Sequence, residues 1–186
     1  MPFYLLKCSK DIVRSALESS IFLLDANPSF TYLSGDKALI ETEKDIDAEL
    51  ESSVFSYHEK WGMNLSFLRT HNANELARHL LDECFAFYPN SFRYLSDILF
   101  KQLTFGNYAS IPLLYKEFRY IDKELLLTAG EYLRSGLDGK KAAKKLFIHR
   151  NTFLYRMNKF KELTHLDIRL YHDALLLELY FQMASH

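Results

Sequence analysis

From Asn72 onward the apolar positions fall three and four residues apart, the spacing that puts them on one side of a helix. Leu76, Ala77, Leu80, Leu81, Cys84, Phe85 and Tyr88 form the first such stripe, and Asn72 with Glu75 has the spacing of a capping box. Pro89 and Asn90 interrupt it. Phe92, Leu95, Ile98, Leu99 and Leu103 predict the next helix, closed by Gly106, and Leu113, Leu114 and Phe118 predict a short one after Pro112. A new unit is expected at Asp122. That residue suits an N-cap, Ile121 and Leu126 have the spacing of a hydrophobic staple, and Leu125, Leu126, Ala129 and Leu133 line a face that ends at Gly136. The domain boundary is placed near Ile121, giving regions 1–121 and 122–186.

Upstream of Asn72 the pattern is more mixed. Ser9 and Asp11 predict the start of a helix whose stripe is Ile12, Val13, Ala16 and Leu17. Ile21 to Leu24 and Phe30 to Leu33 are short apolar runs on either side of an Asn27-Pro28 turn, which reads as a small β-hairpin. Acids then occupy every odd position from Glu41 to Glu51. The glycine and distal glutamate of a calcium loop are missing, so this segment is expected to be solvated. Val54, Phe55, Tyr57 and Trp61 add an aromatic cluster.

Few breakers and many Leu, Lys and Glu point to a mainly α protein. It is expected to have a helical N-terminal region holding the small hairpin, followed by a C-terminal helix-turn-helix domain. No apolar run is long enough to cross a bilayer, and Pro2 to Leu6 is too short for a signal-peptide core. Cys8 and Cys84 have no motif spacing, which suits reduced thiols and a cytoplasmic setting.

Charge changes the picture more than composition does. Residues 1–100 carry 15 Asp and Glu against 9 Lys and Arg. Residues 134–161 carry nine bases (Arg134, Lys140, Lys141, Lys144, Lys145, Arg150, Arg156, Lys159 and Lys161) against Asp138 alone. Such a block is an electrostatic footprint for a polyanion, although a solvated lysine face is the commoner meaning of a charge run. The same block predicts two short helices. Asp138 caps one containing Ala142, Ala143 and Leu146, and the paired alanines permit the close approach of a helix-turn-helix corner. Ile148 is expected to be buried at the corner, with His149 as the cap of a recognition helix spanning about residues 150–162. Phe153, Met157 and Phe160 face inward on that helix. The expected DNA contacts are Lys140, Lys141 and Lys144 on phosphates, together with His149, Arg150, Asn151, Thr152, Tyr155, Arg156 and Lys159. Arginine suits guanine, asparagine suits adenine and threonine meets the thymine methyl, while lysines and helix N-termini suit phosphates.

Residues 122–183 resemble the C-terminal helix-turn-helix domain of the PucR family of bacterial transcription regulators, related to the sugar-diacid regulators. The resemblance rests on Ala142-Ala143, on Leu146-Phe147-Ile148-His149-Arg150-Asn151-Thr152, on Tyr155-Arg156 and on Glu162-Leu163-Thr164, with a leucine-rich helix from Ala174 to Tyr180. Three positions depart from it. Leu usually stands where Phe153 does, Arg often where Leu154 does, and Gly where His165 does. Leu154 either packs on a neighbouring helix or meets a thymine methyl. The resemblance implies that residues 1–121 sense a signal or arrange dimerisation.

The expected function is a homodimeric, DNA-binding transcription regulator with double-stranded DNA as partner and a small-molecule effector left unidentified. The alternative is a protein-interaction or dimerisation module that keeps the fold without reading DNA. The C-terminal helix, apolar on more than one face, serves either as domain core or as a dimer seam. No cofactor, metal site or membrane is expected. His58, His71 and His186 lack ligand spacing, and no nucleophile context marks an enzyme.

Overall fold

The computed structural model describes residues 1–184, so His186 lies outside the described residues. Within that range the chain divides into two compact units, Met1–Ile98 and Leu99–His186, with the division falling inside one helix. Among the described residues nine helices and five strands make the protein mainly helical, as expected, and all five of these strands lie in the first unit.

The first unit is built on a mixed sheet of order β2-β3-β1-β4-β5. Its strands are β1 (Phe3–Cys8), β2 (Ser29–Tyr32), β3 (Lys37–Glu41), β4 (Leu65–Thr70) and β5 (Ser91–Tyr94). The central β1 runs antiparallel to β3 and β4, whereas β5 is parallel to β4. Tyr4, Leu6 and Cys8 of β1 join a core with Leu17 and Ile21 of helix α1 (Arg14–Phe22) and with Leu50 and Val54 of helix α2 (Asp47–Trp61). Helix α3 (Glu75–Phe87) makes the crossover between the parallel strands and packs against β1 and β4, burying Leu76, Ala77, Leu80, Leu81 and Cys84. Both faces of the sheet are therefore covered. That removes the apolar-polar alternation that reveals a one-sided strand, so β1 and β4 read as plain apolar runs.

Several local expectations need correcting. Ile21 and Phe22 end α1 instead of forming a hairpin arm, and β2 pairs with β3. The intervening turn is held by Asp25, whose carboxylate accepts the backbone N–H groups of Asn27, Glu43 and Lys44. Ser9 does not cap α1, which starts after Val13 without a side-chain cap; its hydroxyl accepts the Asn64 N–H instead. The cap of α3 is Asn74, which accepts from Ala77 at 2.8 Å, while Asn72 shapes the preceding turn. Phe92 belongs to β5, and helix α4 begins at Leu95 (Leu95–Thr104).

Of the acidic alternation, Glu43, Asp45, Glu49 and Glu51 are exposed, Glu41 ends β3 half-buried, and Asp47 is drawn into the fold. Its carboxylate accepts the hydroxyls of Tyr4 at 2.8 Å and Tyr94 at 2.9 Å and pairs with Arg69 at 3.1 Å, which fastens the start of α2 to β1, β4 and β5. Burial pushes this carboxyl above its ordinary range, against the pull of Arg69 and the two phenols. Cys8 and Cys84 are free, buried thiols, and burial pushes each up to about 12.

The second unit holds α5 (Ile111–Phe118), α6 (Lys123–Arg134), α7 (Gly139–Lys145), α8 (Arg150–Thr164) and α9 (Tyr171–Ala184). Helix α6 lies at its centre, packed against α7, α8 and α9. The unit begins upstream of the boundary expected near Ile121 because α5 packs on α9, with Phe118 and Tyr180 ring centroids 4.6 Å apart. Helix α9 buries Ala174, Leu176, Leu177 and Leu179 within this unit, so core packing accounts for its apolar faces.

Asp47→Ala should destabilise the first unit by about 2–4 kcal/mol, because it leaves Arg69 and the Tyr4 hydroxyl without their shared acceptor. Urea denaturation followed by Trp61 fluorescence measures this, and a change under about 0.5 kcal/mol would show that the network is dispensable.

Candidate nucleic-acid interface

Short-range chemistry sets α7 and α8. Asp138 accepts the N–H groups of Lys141 at 3.0 Å and Lys140 at 2.9 Å, and these donors, Lys141 most of all, hold its carboxyl below the usual range. After Lys145 the chain turns through Leu146, Phe147 and Ile148, closed by N–H bonds from Phe147 to Lys144 and from Ile148 to Ala143. Phe147 has φ 55°, a left-handed conformation that costs a side-chain-bearing residue roughly 1–2 kcal/mol, and its ring is 96% exposed. Ile148 is only half-buried at the corner, where full burial was expected. His149 caps α8 through its ring, Nδ1 accepting the Asn151 N–H at 3.2 Å. At the other end His165 has φ 60°, which is why a glycine suits that position.

The two helices meet closely. Ala142 and Ala143 are buried, and a Cβ at Gly139 would stand 2.8 Å from a ring carbon of Phe153. Phe153 in turn lies 5.8 Å from Tyr132 of α6, ring centre to ring centre. Lys145 reaches Glu131 of α6 at 2.9 Å and, as the largest influence, holds that carboxyl below its ordinary range. The segment after α8 is tied down by Asp167, which binds Arg169 at 2.5 Å and Lys161 at 2.8 Å. Arg169 first and Lys161 next hold the Asp167 carboxyl far below the usual carboxylate range.

These packings sort the expected contact residues. At about 100° per residue, Phe153, Phe160, Met157 and Thr164 define the inward side of α8. Arg150, Leu154, Asn158, Asn151 and Tyr155 share an arc of about 140° that begins beside Met157 and runs round toward the far side, and all five are exposed. Thr152 is also exposed, flanking that arc. Arg156 is placed differently. It lies at the edge of the inward side with 21% of its side chain exposed, bonded to Glu124 of α6 at 2.7 Å and directed at the Thr128 hydroxyl at 3.5 Å. Lys159 pairs with Glu162 at 3.2 Å.

The same sorting applies to the basic block. Arg134, Lys141, Lys145, Arg156, Lys159 and Lys161 each have an acidic partner within 4 Å. Among the described residues, Lys140, Lys144 and Arg150 have none, and all three are exposed on α7 and at the start of α8. Asn158 and Leu154, which were not among the expected contact residues, join the exposed arc, both following from Arg150 by steps of four. The described residues contain no cluster of three or more His, Cys, Asp or Glu able to hold a metal.

Gly139→Ala should destabilise the second unit by about 1–3 kcal/mol, because the buried Phe153 ring has little room to yield; a higher denaturation midpoint would show that it does yield. Asp167 has a depressed folded pKa, so its contribution is present above the unfolded value near ~4 and is lost as pH falls below that. Urea midpoints at neutral pH and at about pH 3 should therefore differ less in Asp167→Asn than in the parent protein.

Residues 125–183 match the PucR C-terminal helix-turn-helix domain family. Over 56 residues the chain is 41% identical to the carbohydrate diacid regulator of Escherichia coli (strain K12), a match covering 30% of this chain and 14% of that protein. The chain thus matches only a small part of that relative's length. The regulator of polyketide synthase expression from Bifidobacterium adolescentis, a solved structure, aligns with 98% of this chain and 79% of its own, at TM-score 0.49 and 18% identity. No described helix is long and apolar enough to cross a membrane.

Proposed function

We propose that this chain, with its PucR-type helix-turn-helix domain at residues 125–183, is a transcription regulator that binds double-stranded DNA through α7 and α8. One observation carries the reading. Of the whole basic block, the three cations without acidic partners are Lys140, Lys144 and Arg150, which flank the start of the exposed arc of α8. Cations already paired inside a fold give up little on meeting phosphate, whereas unpaired ones release counterions. Lys140 and Lys144 serve phosphates in this reading. Arg150 and Asn151 enter the major groove, with Thr152 and Tyr155 beside them, and His149 keeps its capping bond while its other ring nitrogen faces outward. Arg156 acts through Glu124 and Thr128 to seat α8, and Lys141 and Lys159 add charge at the edges.

A homodimer would present two recognition helices about 34 Å apart on one side of the duplex. Since α9 is spent on the core of its own unit, Leu163, Leu170 and Tyr171, at 51%, 57% and 70% exposed, are the apolar surface that supports pairing. The free cysteines support a reducing, cytoplasmic setting. A second reading, a protein-docking module, draws on the bare ring of Phe147. The two readings separate in one experiment.

Fluorescence anisotropy with mixed-sequence duplex DNA at low salt should show binding that weakens steeply as salt rises. The slope of log affinity against log salt should lose about 0.9 for each phosphate contact removed in Lys140→Ala and Lys144→Ala. Absence of binding at low salt, or slopes unchanged in both variants, rejects the DNA reading.

A further inference from the structure

The outward arc of α8 is polar at both ends and apolar in the middle. Arg150, Leu154 and Asn158 follow one another at steps of four along the helix, with Asn151 and Tyr155 beside them. Leu154 is 45% exposed and Tyr155 67% exposed. The inward side is already occupied by Phe153 and Phe160, which are 4% and 1% exposed, so the free half of Leu154 is surplus to the packing of the domain. It rims a shallow groove whose lining includes Leu137, Gly139, Lys140, Arg150 and Phe153.

We infer that Leu154 is a specificity-determining residue that reads the 5-methyl group of a thymine in the major groove, so that the DNA site must carry thymine opposite it. This rests on the DNA-binding reading above and narrows the kind of site that reading allows. The chemistry is selective. Among the four bases only thymine shows an apolar group on the major-groove edge, and a leucine can neither donate to nor accept from the other three. Unpaired cations at Lys140, Lys144 and Arg150 supply the charge complementarity that brings a duplex, rather than an apolar protein surface, to this arc. Placement follows from helix geometry. Residues four apart are separated by about 6 Å along the helix axis, and stacked base pairs by about 3.4 Å. A guanine met by Arg150 and the thymine met by Leu154 therefore lie about two base pairs apart, with an adenine suited to Asn158 farther along the same groove. Arg156 does not take part, being turned onto α6.

The test begins with the full chain and a random pool of duplex DNA, from which bound sequences are selected. Each thymine of the selected site is then replaced, one at a time, by deoxyuridine, which removes only the methyl. At one thymine per half-site the wild-type protein should lose about three- to tenfold in affinity. Leu154→Ala should bind the thymine and deoxyuridine duplexes equally, at the weaker level, with an unchanged salt slope. Leu154→Arg should move the preference at that base pair toward guanine, and circular dichroism should show both variants folded. Selected duplexes that are all bound alike with thymine or deoxyuridine would overturn this inference and leave DNA reading intact. So would a Leu154→Ala protein as methyl-sensitive as the wild type. Failure to retain any duplex at low salt would instead remove the DNA reading, and this inference with it.

Discussion

The closeness of α6 to the helices around it is the constraint on which the second unit depends. Thr128, Ala129 and Gly130 are buried together on α6, and a Cβ at Gly130 would come within 3.0 Å of the Phe181 ring on α9. Small residues on one helix let two larger helices close on it from different sides, and each then buries its apolar stripe against a shared axis. Thr128 spends its hydroxyl proton on the Glu124 carbonyl at 2.7 Å, leaving its oxygen to face Arg156. The rotation of α8 about its own axis is thus fixed by two kinds of contact, the Phe153 and Phe160 stripe and the Arg156 tie. That rotation decides which side chains face outward.

This is why charge counted along the sequence overstates what the surface offers. Six of the nine bases in the block are paired, and three of these fasten one element to another: Lys145 to α6, Arg156 to α6, and Lys161 to the segment leading into α9. Exposed ion pairs of this kind contribute little stability each, typically under about 1 kcal/mol. Their larger effect is to subtract charge from the field the domain presents. The unpaired remainder clusters on α7 and the first turn of α8, so the field is concentrated where the outward arc begins.

Much of this was legible in the sequence, and unevenly so. The caps at Asp122, Asp138 and His149 and the inward stripe of α8 could be read because helix ends and 3.6-residue periodicity are local signals. The sheet was not, apart from the segment that became β2. Strands covered on both faces show no alternation, and β1 and β4 pair residues about sixty apart in the chain, a relation no local window contains. Asp47 was hidden for a similar reason. Its partners Tyr4, Arg69 and Tyr94 come from three different strands, so a carboxylate inside an acidic run looked solvated when it is the hub of a network.

Arg150 and Arg156 show where a motif stops being informative. Both are arginines on one helix, and both stand in the stretch that matches the family. Six residues amount to about 600°, or 240° after a full turn, so they point to opposite flanks of α8. Arg150 is exposed in the first turn of α8, while Arg156 meets Glu124 and Thr128. Side-chain chemistry alone would give them the same task. Position relative to the buried stripe leaves one exposed and sets the other to hold the helix against α6. By the same rule Leu154, one turn beyond Arg150, lies on the exposed side of the helix despite its apolar chemistry, because its neighbours Phe153 and Phe160 already fill the buried stripe.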